Sequence, residues 1–288
     1  MGNDGHVVVL EIGDARLNYE VIGEGTPVTL LHGFTQSGRS WHEIVSLMPT
    51  GWKWVLPDLR GHGATRVPAG APYTMDACTE DLERLWDGLG ISRTHLVGYS
   101  MGGRLALHVA ATRPERLLSL MTIGAHAGLD EEVREGRRQA DEALAQRMET
   151  DGLEAFVNYW SSLPMFEGLE RRGPSFVAQV RAARMENQVA GLAGSLRGMG
   201  AGSMRPVWPD LNGVAASSTF VAGQLDHGYV ASARRLAASV PNGRVVIVQR
   251  AGHTVHLERP EAFSRLLIAH LEAASDRSEA SPSSSTSA

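Results

Sequence analysis

Short apolar, β-prone runs recur along the chain, set apart by turn residues or by longer stretches with helical character. Val7–Leu10 and Leu17–Val21 are separated by turn residues, which predicts an antiparallel pair at the start. Further strands are predicted at Val28–Leu31, at Trp54–Leu56, in a run ending at Val97, and at Leu117–Ile123, Ser218–Ala222 and Arg244–Val248. Helical stretches lie between most of them, and strands alternating with helices imply a mostly parallel central sheet with helices on both faces, an α/β fold. The gap between Ile123 and Ser218 breaks the alternation. From Asp130 to Met204 the pattern is helical and rich in Arg, Glu and Ala, interrupted by Pro164, Gly168, Gly173-Pro174 and glycines from Gly191 to Gly202. This predicts a helical lid insertion at 130–204 over the sheet's C-terminal edge, in an α/β core made of 1–129 and 205–272. Beyond Leu271 the chain turns Ser/Ala/Pro-rich and buries too little apolar surface to fold, so 273–288 is expected to be a disordered tail.

A length of 288 residues suits one large domain with an insertion. The 27 basic and 32 acidic residues give a net charge of -5 and form no basic stripe, so nucleic acid is not an expected partner. Cys78 is the single cysteine, which excludes an internal disulfide and any cysteine-built metal site and fits a reducing compartment. The N-terminus has neither a positive nor an apolar signal region, His6 stands where a myristoylation signal needs Ser or Thr, and no apolar run reaches bilayer length. The expectation is a cytoplasmic protein with no membrane partner, a monomer or weak homo-oligomer. No phosphate-cradling loop or metal-ligand spacing is visible, so neither a cofactor nor a metal is expected.

The segment Gly98-Tyr-Ser-Met-Gly-Gly-Arg104 carries the chemistry. It places Ser100 between glycines where an apolar strand gives way to a helix, and a turn that sharp strains the serine backbone and leaves no room for side chains at Gly98 and Gly102. Alone, the pattern is equally a glycine-rich connection. A serine hydroxyl at neutral pH needs a histidine to take its proton and a carboxylate to orient that histidine. Asp226 follows the Ser218–Ala222 strand and His253 follows the Arg244–Val248 strand, both on loops at strand C-termini. Taken singly, Asp226 is an exposed turn aspartate and His253 a loop histidine. Together with Ser100 they fall in the order Ser, Asp, His expected on a parallel sheet.

The other histidines have structural readings: His256 as a cap or packing group, His227 as a pocket wall, His32 as a shaper of the loop it ends, and His62 as a turn residue. His42, His95, His108, His126 and His270 lie on packed elements. An oxyanion hole needs two backbone amides, for which Met101 and Phe34 are the candidates.

The elbow, the His32-Gly-Phe34 loop, the Asp58-Leu-Arg-Gly-His-Gly63 turn and the Ala251-Gly-His253 segment resemble the α/β-hydrolase fold superfamily from Val7 to Leu271. Within it the chain is similar to the 2-succinyl-6-hydroxy-2,4-cyclohexadiene-1-carboxylate synthases of menaquinone biosynthesis. Three features carry the narrower likeness: Arg104 one turn past Ser100; Arg134, Arg137, Arg138 and Asp141 after Gly128-Leu129; and Asn158 to Phe166, where Trp160 matches the family tryptophan and Ser161 stands where tyrosine is frequent.

The resemblance implies a lyase in which Ser100, activated by His253 and Asp226, acts as a base and eliminates pyruvate. It also implies an anionic small-molecule substrate held by Arg104 and by Arg137 or Arg138, in a pocket lined by Tyr99 and Trp160. Each feature has a plainer reading, since Arg104 can salt-bridge its helix, the lid arginines alternate with glutamates as a solvated face does, and Trp160 can pack the lid. The same triad also serves a serine carboxylesterase or lactone hydrolase working through an acyl-enzyme, and the pocket could belong to a hydrolase-fold ligand receptor.

Overall fold

The computed structural model describes residues 6–279. Eight strands form one sheet: β1 (His6–Ile12), β2 (Ala15–Ile22), β3 (Thr26–Leu31), β4 (Trp52–Pro57), β5 (Thr94–Tyr99), β6 (Leu117–Ile123), β7 (Ser217–Gly223) and β8 (Gly243–Val248). Their order is β1-β2-β4-β3-β5-β6-β7-β8; β1 and β2 run antiparallel and β3 to β8 are parallel to one another. Every strand predicted from the sequence is present, with β5 running on to Tyr99.

Nine α-helices complete the described residues: α1 (His42–Ser46), α2 (Met75–Gly88), α3 (Met101–Thr112), α4 (Glu131–Ser161), α5 (Pro174–Arg184), α6 (Val189–Met199), α7 (His227–Ser239), α8 (Val255–Glu258) and α9 (Pro260–Glu279). Alternate residues of each strand point to opposite faces, so two cores form. Leu96 and Leu120 meet Leu82, Trp86, Leu105 and Leu236 from α2, α3 and α7, while Val97 and Met121 meet Ile44, Phe263 and Leu267 from α1 and α9. Helix α9 continues past 272, where the composition predicted order to end; its Phe263, Leu267 and Leu271 are fully buried, and that anchorage carries the helix to Glu279. The rest of the expected tail, 280–288, lies outside the described residues.

Between β6 and β7 the chain forms α4, a 3₁₀ stretch at Pro164–Arg172, α5 and α6. Gly152 kinks α4 with φ 82 and ψ 171. These helices have a small core of their own, in which Met148, Phe156 and Val157 pack on Leu192 and Leu196, with Phe34 and Trp160 at its edge. Among the described residues no helix is long and apolar enough to cross a membrane.

The strand order reverses direction between β3 and β5, leaving a crevice at their C-terminal ends, the place where open α/β sheets bind ligands. Both the His32–Phe34 loop and Ser100 leave the sheet there.

Candidate active site

Strand β5 hands over to α3 through a single residue, Ser100, with φ 51 and ψ -108. Left-handed backbone is costly for a residue with a Cβ. It is held by its amide donating to the Ile123 carbonyl at 2.8 Å and its carbonyl accepting from the Arg104 amide at 2.9 Å. The flanking glycines are required sterically: a Cβ at Gly98 would strike the Gly102 carbonyl, and one at Gly102 would strike the carbonyls of Leu31 and His32.

The Asp226 and His253 loops are brought together by backbone. Gly223 pairs with Val248 at the ends of β7 and β8. Beyond them the Gln224 amide donates to the Val248 carbonyl and the Leu225 amide to the Ala251 carbonyl, each at 2.9 Å. A side chain at Gly223 would collide with the carbonyls of Ala251 and Gly252, so glycine permits the approach. The result is a continuous chain of polar contacts: His253 Nδ1 lies 2.7 Å from Asp226 Oδ2, and His253 Nε2 lies 3.0 Å from Ser100 Oγ. A carboxylate only accepts, so Nδ1 carries the proton and Nε2 is left to accept from the serine hydroxyl. The imidazole is 1% exposed, with the Tyr229 ring at 4.6 Å and the Tyr99 ring at 5.3 Å.

Phe34 and Met101 border the same cavity as Ser100, where their amides were expected. The loop carrying Phe34 is pinned by His32, whose Nδ1 donates to the Gly33 carbonyl at 2.8 Å while Nε2 accepts from the Leu59 amide at 2.9 Å. Burial pulls the His32 pKa down to about 4, which keeps the ring neutral and able to do both. His32 therefore shapes the loop, as expected, and His62 packs edge-on against both His32 and Phe34.

The cavity in front of Ser100 has a volume of about 710 Å³. Arg104 opens onto it, donating from Nη2 to the Met199 carbonyl at 2.9 Å while its buried Nε has no partner. Among the described residues no carboxylate lies within ion-pair distance of Arg104, and burial lowers its pKa. Arg137 also lines the cavity, its Nε donating at 2.9 Å to the buried Asp141, whose second oxygen is unpartnered. Trp160 forms a wall, edge-on to Phe34 at 5.2 Å.

Three expected wall or binding residues are placed elsewhere. Arg138 is 47% exposed, pairs with Glu135 at 2.5 Å and borders a different surface depression, because the helical turn aims it away from the side that Arg137 faces. Tyr99 is 3% exposed and does not line the cavity; the strand alternation turns its ring down between His253 and His256. His227 is exposed at the start of α7 and does not border the cavity. His256 caps nothing: both ring nitrogens are unpartnered, and the ring is packed between Trp41 and Tyr99.

Sequence reasoning missed three residues of this region. Tyr229 lines the cavity and packs tilted against His253, signalled only by its place one turn past Asp226. Arg184, 3% exposed, donates to the Ser161 hydroxyl at 2.6 Å and lies over the Phe166 ring, one arginine among many with nothing in the sequence to single it out. Glu258 binds the His253 loop, and its signal was a threonine and a glutamate bracketing a helix start, close to a capping-box spacing.

A family profile described as the α/β hydrolase fold matches residues 26–260. A protein of Bacillus subtilis (strain 168), provisionally named 2-succinyl-6-hydroxy-2,4-cyclohexadiene-1-carboxylate synthase, is 36% identical over 258 residues, 87% of this chain and 93% of that protein. The 2-succinyl-6-hydroxy-2,4-cyclohexadiene-1-carboxylate synthase of Enterobacter sp. (strain 638) is 29% identical over 83% of this chain and 89% of its own. The solved structure of MenH from S. aureus superposes with a TM-score of 0.85 at 28% identity, covering 89% of this chain and 98% of that one. A serine at a strained strand-to-helix turn, a histidine and an aspartate from the next strand ends, and a profile match over most of the sequence agree that this chain belongs to the α/β hydrolase fold family.

Proposed function

We propose that this protein is the lyase that eliminates pyruvate from 2-succinyl-5-enolpyruvyl-6-hydroxy-3-cyclohexene-1-carboxylate to give 2-succinyl-6-hydroxy-2,4-cyclohexadiene-1-carboxylate, a step of menaquinone biosynthesis in the cytoplasm. The observation that carries the reading is the Arg104 guanidinium, with a buried, unpartnered Nε and no carboxylate in ion-pair distance, sharing a cavity with a Ser-His-Asp chain. A buried cation lacking an anion is unfavourable on its own and becomes favourable when a substrate carboxylate supplies the missing charge. The relatives with the synthase name support the same choice.

In this reading His253 takes the hydroxyl proton of Ser100 as the serine oxygen removes a proton from the substrate ring. The electrons of the broken C–H bond enter the ring to form the conjugated diene, and the bond to the enolpyruvyl oxygen breaks. The released enolate takes up a proton and leaves as pyruvate, so no water attacks and no acyl-enzyme forms. The amides of Phe34 and Met101 stabilise negative charge that builds on a substrate oxygen. Arg104 and Arg137 hold carboxylates by charge-assisted hydrogen bonds, and Trp160 closes the apolar side.

The test compares pyruvate release from the precursor with hydrolysis of a short-chain nitrophenyl ester. Pyruvate release with slow ester turnover is expected. Fast ester turnover without pyruvate would replace the lyase with a serine ester hydrolase, and ligand-induced stabilisation with no turnover would make the protein a receptor.

A further inference from the structure

We infer that Glu258 is a positioning residue for His253 and that it ties the imidazole to the seating of the helical insertion. The inference rests on the reading of His253 as the proton acceptor. Glu258 is 6% exposed and belongs to no part of the Ser100, His253, Asp226 chain. Its carboxylate brackets the histidine from behind: Oε2 accepts from the Gly252 amide at 2.7 Å, and Oε1 accepts from the Thr254 amide at 3.1 Å and the Thr254 hydroxyl at 2.9 Å. The residues immediately before and after His253 are thus fastened to one rigid anion, which fixes the direction in which the ring leaves the backbone. Buried carboxylates are retained at a desolvation cost that only such a full set of donors offsets.

The same carboxylate is the point where the insertion touches the loop. Gly168, in the 3₁₀ stretch Pro164–Arg172, sits so close over Glu258 that a Cβ there would collide with the carboxylate. From the same stretch Arg171 donates to the Arg250 carbonyl at 3.2 Å and faces Glu258 at 3.7 Å, and Arg172 donates to the Leu257 carbonyl at 2.6 Å. Arg250 has φ 56, so the carbonyl held by Arg171 belongs to the strained turn that leads into His253. The other end of this stretch carries Phe166, whose ring is 5.9 Å from Trp160 in the cavity wall. A shift of the insertion that moves Trp160 is therefore transmitted to the backbone on both sides of His253, with Glu258 as the common contact.

The experiment is steady-state pyruvate release by the full chain and by Glu258→Gln, read beside the downfield proton resonance of the Nδ1–H bonded to Asp226. The glutamine has the same shape but turns a donor towards one of the two amides. Because misplacement of a reacting group by about 1 Å costs up to about a hundredfold in rate, kcat is expected to fall roughly tenfold to a hundredfold with KM little changed, and the resonance to broaden or vanish. Glu258→Asp, which keeps the charge, should recover part of the loss.

A Glu258→Gln enzyme with wild-type kcat and an unaltered resonance overturns the proposal. If that variant does not fold, Arg171→Ala carries the test, since Arg171 is 54% exposed and its removal frees the Arg250 carbonyl and withdraws the charge facing Glu258 while leaving the Gly252 and Thr254 bonds to Glu258 in place. A several-fold loss in kcat at constant KM is then expected, and no change overturns the link to the insertion. If the wild-type chain releases no pyruvate at all, the functional reading fails, while the resonance still reports whether Glu258 places His253.

Discussion

The corner of the sheet that holds Ser100 and the helical insertion above it solve the placement of polar groups in opposite ways. At the corner, each group is fixed by backbone: a strained serine between two strand ends, a histidine 1% exposed, and amides that bond across from one loop to the next. On α4 many of the charges are placed by helical periodicity. Arg134, Arg138 and Arg147 each pair with an acid three or four residues away, and their side chains are 20%, 47% and 57% exposed. Such pairs contribute little, about 0.3–0.5 kcal/mol each. The difference teaches that chemistry is built where the chain has no freedom, whereas recognition is built by leaving a cation without its acid among many cations that have one. Arg104 is such a cation facing the cavity, on its sheet side and one turn from the serine.

The contrast breaks most visibly if the corner is not where the reaction occurs. Ser100→Ala is expected to lower kcat for pyruvate release by about 10⁴-fold while the chain stays folded, since the alanine removes the base and keeps the backbone; a rate within tenfold of wild type would move the chemistry elsewhere. Asp226→Asn, which preserves shape and loses the acceptor that fixes the Nδ1 proton, should cost roughly a hundredfold to a thousandfold in kcat with little change in KM. Arg104→Ala, measured as KM for the precursor, should weaken binding by about 1.5–3 kcal/mol and leave hydrolysis of a neutral ester untouched. An unaltered KM would put Arg104 among the paired, structural arginines.

Acid should separate the two regions as well. His256 is fully buried with no hydrogen-bond partner, and burial holds its pKa down at about 3. Its folded value lies below the unfolded 6.5, so the unfolded chain binds the proton first. Stability is intact above pH 6.5 and declines as pH falls from there towards about 3, by about 1.4 kcal/mol per pH unit for this one group. Other buried histidines add to the decline, so urea unfolding at pH 7 and pH 5 should show a steeper slope than this, and His256→Phe should reduce it; an identical slope in the variant would show that His256 contributes nothing to it. The smallest effect sharpens the comparison within α4: Arg137→Ala should raise KM by a factor worth about 1 kcal/mol or less, given its half-exposed pair with Asp141, and Arg138→Ala should leave KM alone. The reverse result would exchange their roles.

The triad was legible because three local signals, each bland alone, fall in the order Ser, Asp, His at strand ends. Glycines mark the turn at Ser100, and an apolar run followed by a short polar loop marks both Asp226 and His253. What failed was direction. Arg137 and Arg138 are neighbours on one helix, about 100° apart in projection, and only the packing of α4 on α6 decides which of them faces the cavity. Tyr99 precedes the serine in sequence, yet the two-residue repeat of β5 sends its ring beneath the site. Arg184 lies 23 residues along the chain from Ser161, on α5, and nothing in its immediate neighbours encodes the contact, whereas Glu258 bonds residues within six of itself but lacks an exact capping-box spacing to announce it.

The sequence by itself determined the strands, the helices between them, the sharp turn at Ser100 and the order in which serine, aspartate and histidine appear, because each follows from local periodicity or from what a glycine permits. The tertiary structure alone decided that β7 and β8 align Gly223 with Val248, that Arg104 is left without a carboxylate, and that Gly168 and Arg171 of the insertion seat on Glu258. These are contacts between segments distant in the chain, and their partners are chosen by how two layers of helices pack on a twisted sheet rather than by any pattern a single segment carries.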